Sequence, residues 1–194
     1  MLLKCLVEYC MEKKYQILYA DPPWQYKNSD NLGKKSILNG KINFHYPTMT
    51  LEELKQLPIE NIKDENCLLF LWVISPDLPM GLELMKARGF NYATIGFVWD
   101  KQRINPGYYT CSQVEICLIG KSGKIPQPRG SRKVYQFLSE KKTLHSSKPN
   151  EIRNRITEMF PTQNKIELFA RQKTSGWDVW GNEVNNDIIL DKIN

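Results

Sequence analysis

A chain of 194 residues is long enough to bury one hydrophobic core and short for two, so we expect a single domain over residues 1–194. Hydrophobic residues make up 41% and charged residues 25%, and no apolar run approaches the roughly 20 residues that cross a bilayer. This composition excludes a helical membrane protein. Because the sequence also shows no secretory signal, we expect a cytoplasmic protein. Five cysteines without a Cys-x-x-Cys pair and only two histidines argue against a disulfide framework, a zinc site or metal catalysis.

The net charge of +6 is concentrated in one part of the chain. Residues 121–155 contain ten basic residues against two acidic ones, a local charge of +8, so the rest of the chain carries −2. Such a segment is typical of a phosphate-binding face, because neutralising a polyanion releases its counterions. It also fits a merely solvated surface, although Tyr135 and Phe137 are interleaved with the charges.

The first predicted strand, Tyr15–Ala20, runs directly into Asp21, Pro22, Pro23 and Trp24. The two prolines fix successive φ angles and carry no N–H, so we expect a stiff turn whose carbonyl groups are free to accept hydrogen bonds. A carboxylate and free carbonyls beside an indole suit a planar amine, as when a protein holds a base drawn out of its helix. The stretch therefore predicts an active site for adenine.

Strands and helices alternate along the rest of the chain. Residues 25–43 are rich in Asn, Lys, Gly and Ser and predict a mobile loop that covers a substrate. The apolar run at 66–73 is typical of a strand covered on both faces, and the alternation predicts an α/β fold with a mostly parallel central sheet and helices on both faces. We also expect strands at 92–99, 114–119, 134–138 and 165–170, a break at 100–113, and helices from Leu51 to Pro58, Ser75 to Gly89 and Ser147 to about Phe160.

Ligands of such sheets bind beyond the carboxyl ends of the strands. Two segments are expected there: the stretch that begins at Asp21, and residues 171–183, which follow the last strand. No G-x-G-x-x-G sequence follows any strand, which argues against a dinucleotide in its usual cradle. A cofactor at this edge is therefore held in another way.

Six motifs together resemble the adenine-N6 methyltransferases of the permuted class. This family includes the eukaryotic messenger-RNA adenosine methyltransferase subunits and bacterial and phage enzymes that methylate DNA. The resemblance implies a Rossmann-like methyltransferase fold with permuted motif order, S-adenosylmethionine as methyl donor and the N6 amino group of adenine as acceptor. The motifs cover nearly the whole chain and are Ala20-Asp21-Pro22-Pro23-Trp24, His45-Tyr46-Pro47-Thr48-Met49, Leu69-Phe70-Leu71-Trp72, Glu115-Ile116-Cys117-Leu118-Ile119-Gly120, His145-Ser146-Ser147-Lys148-Pro149, and Ile166-Glu167-Leu168-Phe169-Ala170-Arg171 followed by Trp180-Gly181-Asn182-Glu183.

The resemblance also implies roles for individual residues. Asp21 and the Pro22 carbonyl would accept the two hydrogens of the target amine, and Pro23 and Trp24 would complete the catalytic stretch, with Trp24 holding the base. Asp21 would also accept from the amino group of the donor. For the rest of the donor, Lys148 would lie near the methionine carboxylate, and Arg171, Asn182 and Glu183 near the ribose and adenine.

Substrate contacts are expected from loops at about 25–45, 100–113 and 121–147. Within them, Tyr26, His45, Tyr46, Arg132 and Lys133 are the candidate substrate-binding residues. With no separate recognition domain, these loops would read the target unless the chain forms a homodimer or a partner subunit supplies the recognition.

DNA is favoured over RNA as the acceptor, because the compact chain has no appended RNA-binding module. RNA adenosine methylation is the nearest alternative, and a catalytically silent nucleic-acid-binding partner subunit is another. The intact stretch from Asp21 to Trp24, together with Lys148, favours an active enzyme. Methylation at N4 of cytosine uses a related motif, but Asp and Trp together favour adenine.

Overall fold

The computed structural model describes residues 13–25, 48–106, 109–141 and 147–190. Within these ranges the strands are β1 (Tyr15–Ala20), β2 (Lys63–Val73), β3 (Asn91–Asn105), β4 (Ser112–Ser122), β5 (Phe137–Ser139), β6 (Lys165–Leu168) and β7 (Asp178–Trp180). The α-helices are α1 (Leu51–Gln56), α2 (Leu78–Ala87) and α3 (Asn150–Met159).

The strands form one mostly parallel sheet in the order β5-β3-β4-β2-β1-β6-β7, as the sequence predicts. β1 pairs in parallel with β2 and β6, β6 with β7, and β3 with β5, whereas β4 runs antiparallel to both β2 and β3. In the register of β1, Ala20 lies beside Leu71 of β2 and Leu168 of β6. The edge at which β1, β2, β6 and β7 end, here called the carboxyl edge, is also where β3 ends and β4 begins.

Helices cover both faces of the sheet, as predicted. Because side chains alternate along a strand, β1 contributes to two cores. Leu18 and Ala20 pack in the cluster that contains apolar residues of α1 and α2. Ile17 and Tyr19 pack in the opposite cluster, which contains apolar residues of α3. The two cores fix β1 at the centre of the fold and bring its last residue to the carboxyl edge.

The helix boundaries largely follow their sequence signals. Thr50 caps α1 through a capping box, in which its hydroxyl accepts from the N–H of Glu53 at 3.2 Å and the Glu53 carboxylate accepts from the N–H of Thr50 at 2.8 Å. α2 begins later than predicted, because a 3₁₀ turn at Ser75–Asp77 precedes it and Ser75 provides no side-chain cap. Gly89 ends that helical segment with a φ of +69°, which favours glycine.

Strand β3 differs from the prediction. It continues beyond position 99 to Asn105, through the segment for which a break was expected. An irregularity in the pairing with β4 follows Asp100, whose carboxylate accepts from the N–H of Gln102 at 2.9 Å, and Gln102 has a φ of +51°. The polar residues therefore mark a bulge within the strand. Other strands differ as well: β5 occupies Phe137–Ser139 instead of 134–138, and the three-residue β7 was not predicted. β2 and β4 are longer than predicted, and β6 ends two residues earlier.

No helix in the described ranges is long and apolar enough to cross a membrane. Among the same residues, no group of three His, Cys, Asp or Glu side chains is placed to hold a metal ion. Three cysteines, Cys67, Cys111 and Cys117, have free thiols, and two of these are buried.

Candidate active site

Backbone hydrogen bonds close the turn that follows β1. The Pro22 carbonyl accepts from the N–H of Trp24 at 2.9 Å, and the Pro23 carbonyl accepts from the N–H of Met49 at 2.8 Å. The expectation of two free carbonyls is therefore wrong. The Pro23 carbonyl ties the turn to the segment before α1, and the Pro22 carbonyl keeps one further lone pair for another donor. These two hydrogen bonds fix the turn and thereby hold Asp21 in place at the carboxyl edge.

Trp24 is buried instead of open to a ligand. Its side chain is 5% exposed and belongs to the core cluster under α1 and α2. The indole N–H donates to the carbonyl of Trp72 in β2 at 3.2 Å. In this arrangement Trp24 holds the turn against β2. We had expected the indole to form a surface on which a base stacks.

Lys148 contacts two carboxylates. Its Nζ lies 2.6 Å from Oδ2 of Asp21 and 3.2 Å from Oε2 of Glu115, and it stands 5.5 Å from the ring centre of Trp72. Only 9% of the Lys148 side chain is exposed. Burial by itself lowers the pKa of this ammonium, but Asp21 and Glu115 outweigh burial and raise the pKa above its ordinary value. The lysine therefore remains a cation fixed beside the candidate catalytic acid.

Glu115 and Lys101 extend this group, and neither was among the candidate site residues. Nζ of Lys101 lies 3.2 Å from Oε1 of Glu115, and both side chains are buried. Burial raises the pKa of the Glu115 carboxyl, but the ammoniums of Lys148 and Lys101 more than compensate and hold that pKa below its ordinary value. Glu115 thus pairs with two ammonium groups, whereas Asp21 pairs with Lys148.

A polar cleft, here called the β6–β7 cleft, opens beside Asp21. It encloses about 660 Å³ including its open mouth, within the range of about 300–1,000 Å³ that is usual for small-molecule sites. Arg171 and Glu183 form a long ion pair of 3.7 Å between Nε and Oε1. The structure thus brings four of the five candidate cofactor residues to one cleft, whose walls include Asp21, Pro23, Arg171, Asn182 and Glu183.

Close backbone packing builds the far wall of the β6–β7 cleft. Phe169 follows β6 with a φ of +62°, a conformation that costs free energy in a non-glycine residue and clusters at functional sites. The N–H of Ala170 then donates to the carbonyl of Trp180 at 3.0 Å. At Gly181 a Cβ atom would lie 2.2 Å from the Ala170 carbonyl oxygen, so only glycine fits. These contacts place Arg171 and Asn182 on the same cleft.

A second space lies on the other side of Asp21. It consists of two adjoining recesses of about 340 and 360 Å³, here called the α3 cleft because they adjoin the start of that helix. Ser147, Lys148 and Gln172 line both recesses, and Arg171 lines the one that Asp21 reaches. Asp21 therefore faces both clefts, and Lys148 lines only the α3 cleft.

Arg132 and Lys133 lie far from Asp21. β4 runs antiparallel to β2 and ends with Ser122 beside Cys67, at the edge opposite the carboxyl edge. The segment that follows is tied to the end of α3, where the N–H of Gly130 donates to the carbonyl of Met159 at 2.9 Å. The two basic residues thus follow a segment at the edge opposite Asp21, and their contact with a substrate stays a prediction. Tyr26, His45 and Tyr46, the other candidate substrate residues, lie outside the described residues.

A mostly parallel sheet with helices on both faces and a polar cleft beyond its carboxyl edge is a Rossmann-like arrangement, consistent with a methyltransferase fold. The model of the MT-A70 family matches residues 15–183, most of the chain. The chain therefore belongs to the MT-A70 family.

Individual relatives span bacteria, plants and animals. The chain is 45% identical over 188 residues to the type II methyltransferase M.MunI of Mycoplasma sp, a match that covers 91% of this chain and 81% of that protein. It is 26% identical over 189 residues to a putative N(6)-adenosine-methyltransferase MT-A70-like protein of Medicago truncatula and 26% over 191 residues to the human N(6)-adenine-specific methyltransferase METTL4. The matched region is only 28% of the plant protein and 38% of the human one.

Proposed function

We propose that the protein transfers a methyl group from S-adenosylmethionine to the N6 amino group of adenine in DNA. The observation that carries the proposal is the position of Asp21, which faces a polar cleft on each side. Direct transfer requires two molecules to be held next to each other, and a residue between two clefts can contact both of them. The similarity to M.MunI supports DNA, and the names of the plant and human relatives support N6 of adenine.

The β6–β7 cleft has the chemistry that the donor requires. Asn182 and Glu183 offer an amide and a carboxylate for ribose hydroxyls and for the adenine edge. Asp21 offers a carboxylate for the donor's amino group. Arg171 borders both clefts and, with Lys148 on the other side of Asp21, supplies the positive charge that a carboxylate ligand needs. When bound, S-adenosylmethionine supplies an electrophilic methyl group.

Asp21 prepares the acceptor for attack. The N6 amino nitrogen of adenine is a poor nucleophile, because its lone pair is delocalised into the ring. Oδ2 of Asp21 is engaged by Lys148, and Oδ1 accepts no hydrogen bond from the described residues. Oδ1 therefore accepts one amino hydrogen and the second lone pair of the Pro22 carbonyl accepts the other, which localises the nitrogen lone pair. Holding the acceptor nitrogen in line with the methyl group of the donor contributes about 7–11 kcal/mol in well-oriented systems.

Proton removal makes a smaller demand on the site. The nitrogen becomes a strongly acidic cation once it is methylated, so a weak base suffices. The Asp21 carboxylate, 2.6 Å from the Lys148 ammonium, is the group proposed to take that proton. Trp24 and the Pro23 carbonyl hold the turn from the core side and do not contact the base.

The alternative is a catalytically silent subunit that binds nucleic acid, and a measurement of donor binding can test it. Calorimetric titration with S-adenosylmethionine separates the two functions, since an enzyme must bind the donor. We expect binding by the wild type and at least about tenfold weaker binding by Asn182→Ala, which removes an amide from the cleft. Asn185→Ala, which changes an exposed amide in the same segment outside the cleft lining, is the control for loss of local structure. Absence of measurable binding by a folded wild type would contradict the proposal.

A further inference from the structure

Four charged side chains alternate in sign across the face of the sheet that α3 covers. Lys101 pairs with Glu115 at 3.2 Å, Glu115 with Lys148 at 3.2 Å, and Lys148 with Asp21 at 2.6 Å. Between 6% and 24% of each side chain is exposed. The row begins near the carboxyl-edge end of β3 and ends at the candidate catalytic acid.

The strand order explains how the row forms. β3, β4, β2 and β1 are consecutive neighbours in the sheet. Lys101 comes from β3, Glu115 from β4 and Asp21 from the end of β1, while Lys148 lies over the ring of Trp72 in β2. The lysine that precedes α3 therefore bridges the strand that separates the two carboxylates.

The two carboxylates compete for Lys148. Glu115 is the more buried, with 10% of its side chain exposed against 24% for Asp21, so it has less water to stabilise its charge. With Lys148 as its only partner, Glu115 would draw that ammonium away from Asp21. Lys101 supplies Glu115 with a second cation, and the four charges sum to zero.

We propose that Lys101 is a positioning residue for methyl transfer: by pairing with Glu115 it leaves Lys148 on Asp21. Lys101 lines neither the β6–β7 cleft nor the α3 cleft, so it acts through Glu115 and Lys148. The inference rests on the proposed function, because Asp21 is the group whose contact is set. It adds a buried residue, which contacts neither cleft, to the residues that line the two clefts.

Three variants test the proposal kinetically. Lys101→Met should lower kcat at least about tenfold with little change in KM for DNA, because the substrate surfaces are untouched. Lys101→Arg keeps the cation and should retain most of the activity. Lys101→Met combined with Glu115→Gln removes both charges, so Lys148 returns to Asp21 and kcat should recover to within about threefold of wild type.

A purely structural role gives a different pattern. Thermal unfolding identifies variants that fail to fold, and the charge-balanced double variant keeps the test valid if Lys101→Met is unstable. A folded Lys101→Met with wild-type kcat, or a folded double variant with no activity beyond that of the single variant, would overturn the proposal.

A measurement without catalysis separates this proposal from the proposed function. Carboxyl ¹³C NMR follows the ionisation of Glu115, which is faced by the ammoniums of Lys101 and Lys148. If Lys101 neutralises Glu115, its titration should move to higher pH in Lys101→Met. An unmoved titration would overturn the positioning role even in an active enzyme. If the titration of Glu115 moves in Lys101→Met but the wild type methylates no nucleic acid, the charge arrangement is supported and the proposed function is contradicted.

Discussion

The Nζ atom of Lys148 lies 2.6 Å from Oδ2 of Asp21, so a cation that the family resemblance assigns to the methyl donor contacts the candidate catalytic acid directly. One carboxylate oxygen is thereby fixed at Lys148, and Asp21 lines both the β6–β7 cleft and the α3 cleft. Orientation of Asp21 thus depends on residues from three separate parts of the chain, including Glu115, the second partner of Lys148.

Asp21→Asn should abolish most of the methyl transfer while preserving the fold. The amide has nearly the same shape, and Lys148 retains Glu115 as a partner. Loss of a preorganised charged acceptor should lower kcat by a factor on the order of 100 to 1,000. The measurement is single-turnover transfer of a labelled methyl group, with thermal unfolding as a check.

Asp64→Asn is the control for that substitution. Asp64 lies near the beginning of β2, at the edge opposite the carboxyl edge, and its carboxylate accepts only a local bond from the N–H of Asn66 at 2.9 Å among the described residues. Activity of Asp21→Asn near that of Asp64→Asn would exclude the role assigned to Asp21.

Glu115 should make the protein sensitive to acid. Because the pKa of Glu115 is lower in the folded chain than its ordinary value of about 4.3, the ionised group contributes stability that is complete above that value. That contribution is lost as the pH falls through the lower pKa of the folded state. Glu115→Gln should therefore lose less free energy of unfolding between pH 6 and pH 3 than the wild type, as measured by urea denaturation.

Glu52→Gln provides the comparison for the acid dependence. Glu52 is 74% exposed and forms a surface ion pair with Lys55, so its removal should leave the acid slope almost unchanged. Equal slopes for Glu115→Gln and the wild type would show that the buried carboxylate has no such role.

Gly181→Ala should weaken donor binding. The new Cβ would lie 2.2 Å from the Ala170 carbonyl oxygen and separate the two segments that form the wall of the β6–β7 cleft. We expect the Kd for S-adenosylmethionine to rise at least about tenfold, by calorimetry. Gly176 has a φ of +79°, but a Cβ there would meet no atom within 4 Å, so Gly176→Ala should bind the donor with a Kd near that of the wild type. Equal Kd values for the two variants would contradict this account of the wall.

Arg132 and Lys133 should matter only for long substrates. β1 has six residues at about 3.3 Å each, which puts these cations on the order of 20 Å from Asp21, or about six base pairs along a duplex. Arg132→Glu combined with Lys133→Glu should raise KM for a duplex of about 30 base pairs and reduce its salt dependence, with little effect on one of about 8 base pairs.

Lys86→Glu, on the exposed side of α2, controls for the general effect of adding negative charge. The same increase in KM for both duplex lengths would place Arg132 and Lys133 at the target base and contradict the structure. No increase for either length would leave the basic segment as a solvated surface.

Local signals in the sequence were sufficient for much of the fold. The apolar strand Tyr15–Ala20 and the capping box at Thr50 depend on neighbouring residues only, and both are confirmed. The alternation of Phe97, Trp99 and Lys101 on one buried face also carries a signal for the length of β3. The polar residues around the bulge outweighed this signal, so a break was predicted where the strand continues.

Long-range contacts account for what the sequence did not reveal. The ion pairs of Lys101 and Glu115 depend on the pairing of β3 with β4. Burial of Trp24 depends on the adjacent carbonyl of Trp72, which is 48 positions further along the chain. The distance of Arg132 from Asp21 follows from the antiparallel direction of β4, and strand direction is not encoded in a local pattern.

The most direct test of the account is transfer from S-adenosylmethionine carrying a labelled methyl group, with DNA and RNA supplied in parallel and then digested to nucleosides. We predict label in N6-methyldeoxyadenosine from DNA with the wild type, and almost none with Asp21→Asn. Label confined to RNA adenosine would contradict the choice of DNA, and label in N4-methylcytosine, or in no nucleoside at all, would contradict the proposed reaction.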